Sequence, residues 1–90
     1  MKITELKPLM VEYMPEKKEP GILYISNKFN LAIHLCACGC GNEVVTPIGD
    51  NGWTTNASFE DKVTLRPSIG NWNFPCKSHY YITNNKIEWL

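Results

Sequence analysis

From residue 22 onward, apolar positions come in short runs of β-formers bounded by turn residues, the pattern of strands. Residues 22–26 (Ile-Leu-Tyr-Ile-Ser) and 31–35 (Leu-Ala-Ile-His-Leu) are rich in β-formers, and residues 43–46 (Glu-Val-Val-Thr) end at Pro47. Lys62-Val63-Thr64-Leu65-Arg66 alternates polar with apolar and is expected to stop at Pro67, as a half-exposed strand. Residues 80–83 and 86–89 flank Asn84-Asn85. Asn tolerates positive φ, so that pair predicts a two-residue hairpin turn. No segment sustains a helical period, and six Gly with six Pro mark frequent turns. Residues 1–20 hold Pro8, Pro15 and Pro20, which keeps any helix there short, and Glu16-Lys17-Lys18-Glu19 reads as a solvated loop. The pattern predicts one small β-rich domain over residues 1–90, mixed but mostly antiparallel, with little helix. Residues 1–20 form an N-terminal extension or edge segment, and residues 21–90 form the core.

Composition narrows the function classes. Nine Lys+Arg balance nine Asp+Glu, and Arg66 is the single arginine, so no basic face for nucleic acid is expected. A hydrophobic content of 43% is that of a globular chain rather than a disordered one. The first residues lack the apolar stretch of a signal peptide. The longest apolar run, 31–38, is broken by His34 and is too short to cross a bilayer. A cytoplasmic protein with no membrane partner is the expectation. A chain of 90 residues buries only roughly 60–65% of its unfolded surface and commonly needs a staple.

Four cysteines are the candidates for that staple. In His34-Leu35-Cys36-Ala37-Cys38-Gly39-Cys40-Gly41, an extended backbone would put residues 34, 36, 38 and 40 on one face, and the glycines would let it curl. Cys76-Lys77-Ser78-His79 adds a second group. Two local clusters of soft ligands separated by a loop are the arrangement of a tetrahedral zinc site. Two ligand sets fit: Cys36, Cys38, Cys40 and Cys76, which is preferred, or Cys76 and His79 with two upstream thiols. A Cys38–Cys76 disulfide and plain buried thiols are weaker readings in a reducing compartment. C-x-C-x-C is not a usual iron–sulfur spacing.

Other residues carry potential chemistry. Ser68 and Ser78 are candidate nucleophiles, and His34 and His79 are candidate bases. Asn71 or Asn73 could orient a histidine or donate to an oxyanion, and backbone N–H groups near Gly70 or Gly39 are further oxyanion donors. Each has a blander reading: serine after proline is often a turn residue, and histidine beside thiols is often a ligand or its neighbour.

The run His34-Leu-Cys-Ala-Cys-Gly-Cys-Gly41, the segment Val63-Thr-Leu-Arg-Pro-Ser-Ile-Gly-Asn-Trp-Asn-Phe74, Cys76-Lys-Ser-His-Tyr80 and the terminal Ile87-Glu-Trp89 carry a resemblance over residues 21–89. Together they resemble a small bacterial cysteine-rich family encoded in operons with a ubiquitin-like protein, an activating enzyme and a conjugating enzyme. Such operons are associated with antiviral defence. The resemblance implies a peptidase that processes or deconjugates the ubiquitin-like protein, with the cysteines as a metal site. Thr64 stands where the family pattern has Ser, and Ala37 where it has Pro. The expectation is therefore a zinc-stabilised scaffold with serine-type chemistry, the ubiquitin-like tail lying extended along a strand edge. The alternative is a non-catalytic zinc-binding adaptor for the conjugation enzymes. A thiol redox protein would need C-x-x-C in a βαβ setting, which is absent.

Overall fold

A computed structural model describes residues 2–50, 52–57 and 62–90. Its elements are β1 (Lys7–Met10), β2 (Ile22–Ser26), β3 (Leu31–Leu35), β4 (Glu43–Pro47), β5 (Thr54–Ala57), β6 (Val63–Gly70), β7 (His79–Thr83) and β8 (Lys86–Trp89). Among the described residues there is no helix, so none is long and apolar enough to cross a membrane. The strands form two four-stranded sheets, ordered β1-β2-β3-β4 and β5-β6-β7-β8. Every pairing is antiparallel except β1 with β2, which is parallel.

The inner faces follow the alternation of the sequence. Leu23, Ile25, Ala32 and Val44 of the first sheet join Val63, Leu65, Ile69, Tyr80 and Ile82 of the second in one apolar core. In β4 the pattern is strict: Val44 and Thr46 are buried while Glu43, Val45 and Pro47 are exposed. β2 departs from alternation, with Leu23 to Ser26 all buried. Its second face is covered by the chain before it: Tyr24 Oη accepts from the Glu19 N–H at 2.9 Å, and Ser26 Oγ donates to the Glu12 carbonyl at 2.9 Å.

Two elements that alternation does not announce, β1 and β5, sit at sheet margins. Residues 1–20 do more than extend the domain. Glu5 bridges to Lys86, the Leu6 N–H bonds Asn85 O at 2.7 Å and the Ile87 N–H bonds Thr4 O at 2.9 Å, so the segment runs along β8 before joining β2. Leu6 is 1% exposed, a member of the core. At the opposite margin Ile48 bridges to Trp53, which links β4 to β5. The two sheets are thus tied at both sides.

Pro67 does not end its strand, contrary to the expectation from sequence. β6 runs from Val63 to Gly70 because its ladder with β7 shifts register between Leu65 and Ile69. A bulge is where a residue without an N–H is tolerated in a strand. The Arg66–Pro67 bond is cis. The hairpin between β7 and β8 turns on Asn84 (φ 48°) and Asn85 (φ 71°), the two positive values that a type I′ turn needs.

Candidate active site and metal centre

Two side-chain constellations lie at one end of the sheets, built by the β3–β4 loop and by the stretch from β6 into β7. In the first loop the Cys36 N–H bonds Asn42 O at 2.8 Å and the Gly39 N–H bonds Cys36 O at 3.0 Å. Gly39 at φ 92° and Gly41 at φ 85° take left-handed conformations that glycine alone adopts freely, so the backbone curls as the spacing suggests. The Gly39 N–H is thereby engaged and is not an oxyanion donor. In the second loop the Asn71 N–H bonds Ser78 O at 2.8 Å and the Lys77 N–H bonds Phe74 O at 3.0 Å, which brings Cys76 across to the first.

The four sulfurs lie within 4.8 Å of one another. Cys36 Sγ is 3.5 Å from Cys38 Sγ and 3.7 Å from Cys76 Sγ, and Cys40 Sγ is 3.9 Å from Cys76 Sγ. A tetrahedral ion with metal–sulfur bonds of about 2.3 Å sets its ligands about 3.8 Å apart, so the spacing fits one ion. All four are free thiols, with Cys36 buried and Cys40 and Cys76 exposed. Their protons divide unequally. Burial pushes the Cys36 thiol up, and burial followed by the neighbouring sulfurs pushes Cys38 up to about 12. The Asn42 N–H holds Cys40 down, while the Ser78 hydroxyl and then its N–H bring Cys76 down to about 6. These four cysteines can hold a metal ion.

Hydrogen bonds buttress the cluster. Asn71 Nδ2 donates to Ser78 Oγ at 2.8 Å. Ser78 Oγ also lies 3.1 Å from Cys36 Sγ and 3.6 Å from Cys76 Sγ, so its single proton serves one of the two sulfurs at a time. Asn42 Nδ2 donates to Cys40 Sγ at 3.2 Å. Donors to a thiolate stabilise its charge and fix its direction toward a metal.

The four polar candidates from the sequence separate into three places. Ser78 is buried against Cys36 and Asn71. His34 is fully buried on β3, with Nε2 2.7 Å from Tyr80 Oη, and burial lowers its pKa to about 4, so it is neutral. Its Nδ1 has no hydrogen-bond partner. Ser68 and His79 meet: Ser68 Oγ is 2.9 Å from His79 Nε2. Ser68 lies in the β6 bulge and His79 opens β7, both half-exposed. A bulge re-aims a side chain, which is one reason bulges recur beside active sites. Among the described residues no carboxylate hydrogen-bonds His79, so the unit is a Ser–His pair.

A contact that residue types do not reveal completes the pair. The Trp72 ring packs on the His79 imidazole at 5.0 Å between centroids, tilted by 59°. Gly70 makes room for it, since a Cβ there would come within 2.5 Å of Trp72 Nε1. The glycine two residues after Ser68 and the tryptophan two residues after that are the signal in the sequence. Asn71, a candidate to orient a histidine, instead serves Ser78 and the Cys36 sulfur, the latter at 3.7 Å.

A serine hydroxyl bonded to an imidazole nitrogen is the activated nucleophile of acyl-transfer enzymes. The family model described as bacterial ubiquitination-like system serine protease (BubE) matches residues 10–90. No curated protein and no solved structure matches the chain. With a match over nearly its whole length, beside a Ser–His pair of this geometry, the chain belongs to the BubE family of serine proteases of bacterial ubiquitination-like systems.

Proposed function

We propose that the protein is a cytoplasmic peptidase that processes or deconjugates a bacterial ubiquitin-like protein, with Ser68 as nucleophile and His79 as general base. The observation that carries this reading is the 2.9 Å Ser68 Oγ–His79 Nε2 contact. His79 takes the hydroxyl proton as Ser68 Oγ attacks the carbonyl at the end of the ubiquitin-like tail. The imidazolium then returns the proton to the departing amine, leaving an acyl ester on Ser68. Water, deprotonated by the same imidazole, hydrolyses that ester and restores the hydroxyl. Trp72 limits rotation of the imidazole and keeps Nε2 on Ser68.

The all-thiolate donor set suits zinc, with Cys36, Cys38, Cys40 and Cys76 as its ligands. Four sulfur donors would fill the coordination of such an ion, which would then supply rigidity to the two loops beside the Ser–His pair. Reduced thiols in this number accord with the cytoplasm. Ubiquitin-like partners follow from the family's system, with its activating or conjugating enzymes as further contacts.

The test is incubation with a ubiquitin-like precursor carrying a C-terminal extension. Ser68→Ala and His79→Ala are each expected to cut the cleavage rate by about a thousandfold or more, as removal of a member does in such units. Cleavage that persists in Ser68→Ala would sink the serine assignment. Tight binding of the ubiquitin-like protein by the wild type with no turnover would favour the adaptor reading.

A further inference from the structure

The seam between the two sheets is open along Ile69 and Gly70, the two residues that follow Ser68 on β6. β5 pairs with Val63 to Arg66 of β6 and goes no further, so that edge of β6 has no strand partner from Pro67 to Gly70 among the described residues. Across the seam, β4 pairs with β3 alone, apart from the Trp53 N–H on Pro47 O at its far end. Between the two edges lies a cavity of about 170 Å³ lined by Val45, Trp53, Gly70, Asn73 and Phe74, with Glu43 among its walls. That is close to the ~150 Å³ cavity that holds one benzene ring and well below the several hundred Å³ of a small-molecule pocket.

Two further features bear on the occupant. Glu43 is already paired with Lys18 Nζ at 3.2 Å, and the lysine side chain is only 8% exposed, so no free charge on this wall asks for a cation. Trp53 gives its indole to the same wall with Nε1 sealed from solvent, so the surface it presents is apolar.

We infer that this seam is the substrate groove: the acyl-side segment of the peptide lies extended between β4 and the distal half of β6, and one uncharged apolar side chain of that segment fills the cavity. The inference deepens the peptidase reading and rests on it. Precursors and conjugates differ in their leaving groups but share the ubiquitin-like tail, so recognition common to both belongs on the acyl side. Strand addition to a free edge gives sequence-tolerant affinity from the backbone, and a side-chain pocket gives the choice.

The experiment uses Ser68→Ala protein, which does not turn over substrate, and end-blocked hexapeptides of Ala and Gly. A single Leu or Val is moved along each peptide, and binding is read by calorimetry. One position is expected to favour Leu or Val over Gly or Asp by about tenfold or more, the worth of burying such a side chain. Val45→Trp, at a half-exposed site outside the core, is expected to erase that preference. N-methylation of alternate peptide bonds, which needs no protein variant, is expected to abolish binding with a period of two. A flat positional scan, or a preference that survives Val45→Trp, overturns the groove. Labelling of the wild-type Ser68 by a small fluorophosphonate tests the peptidase reading separately. Absence of label with an intact positional preference would overturn the peptidase while leaving the groove.

Discussion

Ser68 and Ser78 are the same residue type in two different jobs, and the difference lies in what each hydroxyl touches. Ser68 is half-exposed with one partner, His79 Nε2. Ser78 is 7% exposed and links Asn71 to the Cys36 sulfur. Ser78→Ala would leave the Asn71 amide and the Cys36 sulfur only their 3.7 Å contact with each other, a cost of about 1–3 kcal/mol for buried polar groups. For a domain of this size each kcal/mol moves the thermal midpoint by about 4–8 °C. Ser78→Ala is therefore expected to lower the midpoint by several degrees, measured on metal-loaded protein. Ser68→Ala, at a surface position, is expected to change it by no more than about 0.5 kcal/mol in equivalent terms. Equal losses in the two variants would contradict the division of roles. The candidate list of two serines and two histidines was readable from residue types, but not the pairing. His34 and His79 both lie within three residues of a cysteine in the chain, and only packing decides that one is sealed against Tyr80 while the other reaches Ser68.

The core strands were legible because short runs of β-formers bounded by turn residues mark them: β2, β3 and β4 occupy the residues those runs predict, and β7 and β8 flank the expected Asn-Asn turn. β1 and β5 were not, since a marginal strand is held by backbone pairing and shows little apolar period. Pro67 misled for a related reason: the register shift that admits it is a property of β6 against β7. The hairpin turn offers a test of local chemistry. Asn85 sits at φ 71° and its Oδ1 accepts the Val63 N–H at 2.7 Å. Asn85→Gly keeps the backbone freedom and loses the side-chain bond. Asn85→Ala loses both, with a left-handed penalty of about 1 kcal/mol added to a hydrogen bond of about 1 kcal/mol. Urea denaturation should rank wild type above Asn85→Gly and Asn85→Ala lowest; an alanine variant as stable as the glycine one would show that the turn does not need positive φ.

At the scale of the whole molecule, the cysteine cluster joins what the strand ladders leave apart. Cys36, Cys38 and Cys40 come from a loop of the first sheet, Cys76 from a loop of the second. The margins are tied by the pairing of residues 4–6 with β8 and by the bridge at Trp53; an ion on four sulfurs would tie the end that carries the Ser–His pair. Because ligands must be deprotonated and brought together, binding energy at such a site is folding energy. Elemental analysis is expected to find one zinc per chain. Chelation is expected to lower the thermal midpoint sharply and to expose four thiols to a colorimetric thiol reagent that the loaded protein resists. Chelation that left both readings unchanged would mean that the thiols do not hold a structural ion.

The chain alone determined the fold class, the positions of the core-facing strands, the hairpin turn and the residues able to form a metal centre, because these depend on local period, φ preference and donor chemistry. Tertiary structure decided which serine meets which histidine, the packing of Trp72 on His79 and the open seam between β4 and β6. Each of these depends on where two segments distant in sequence are set against one another. A bulge, a free edge and a side-chain pairing are relations between strands, and no single strand's sequence contains them.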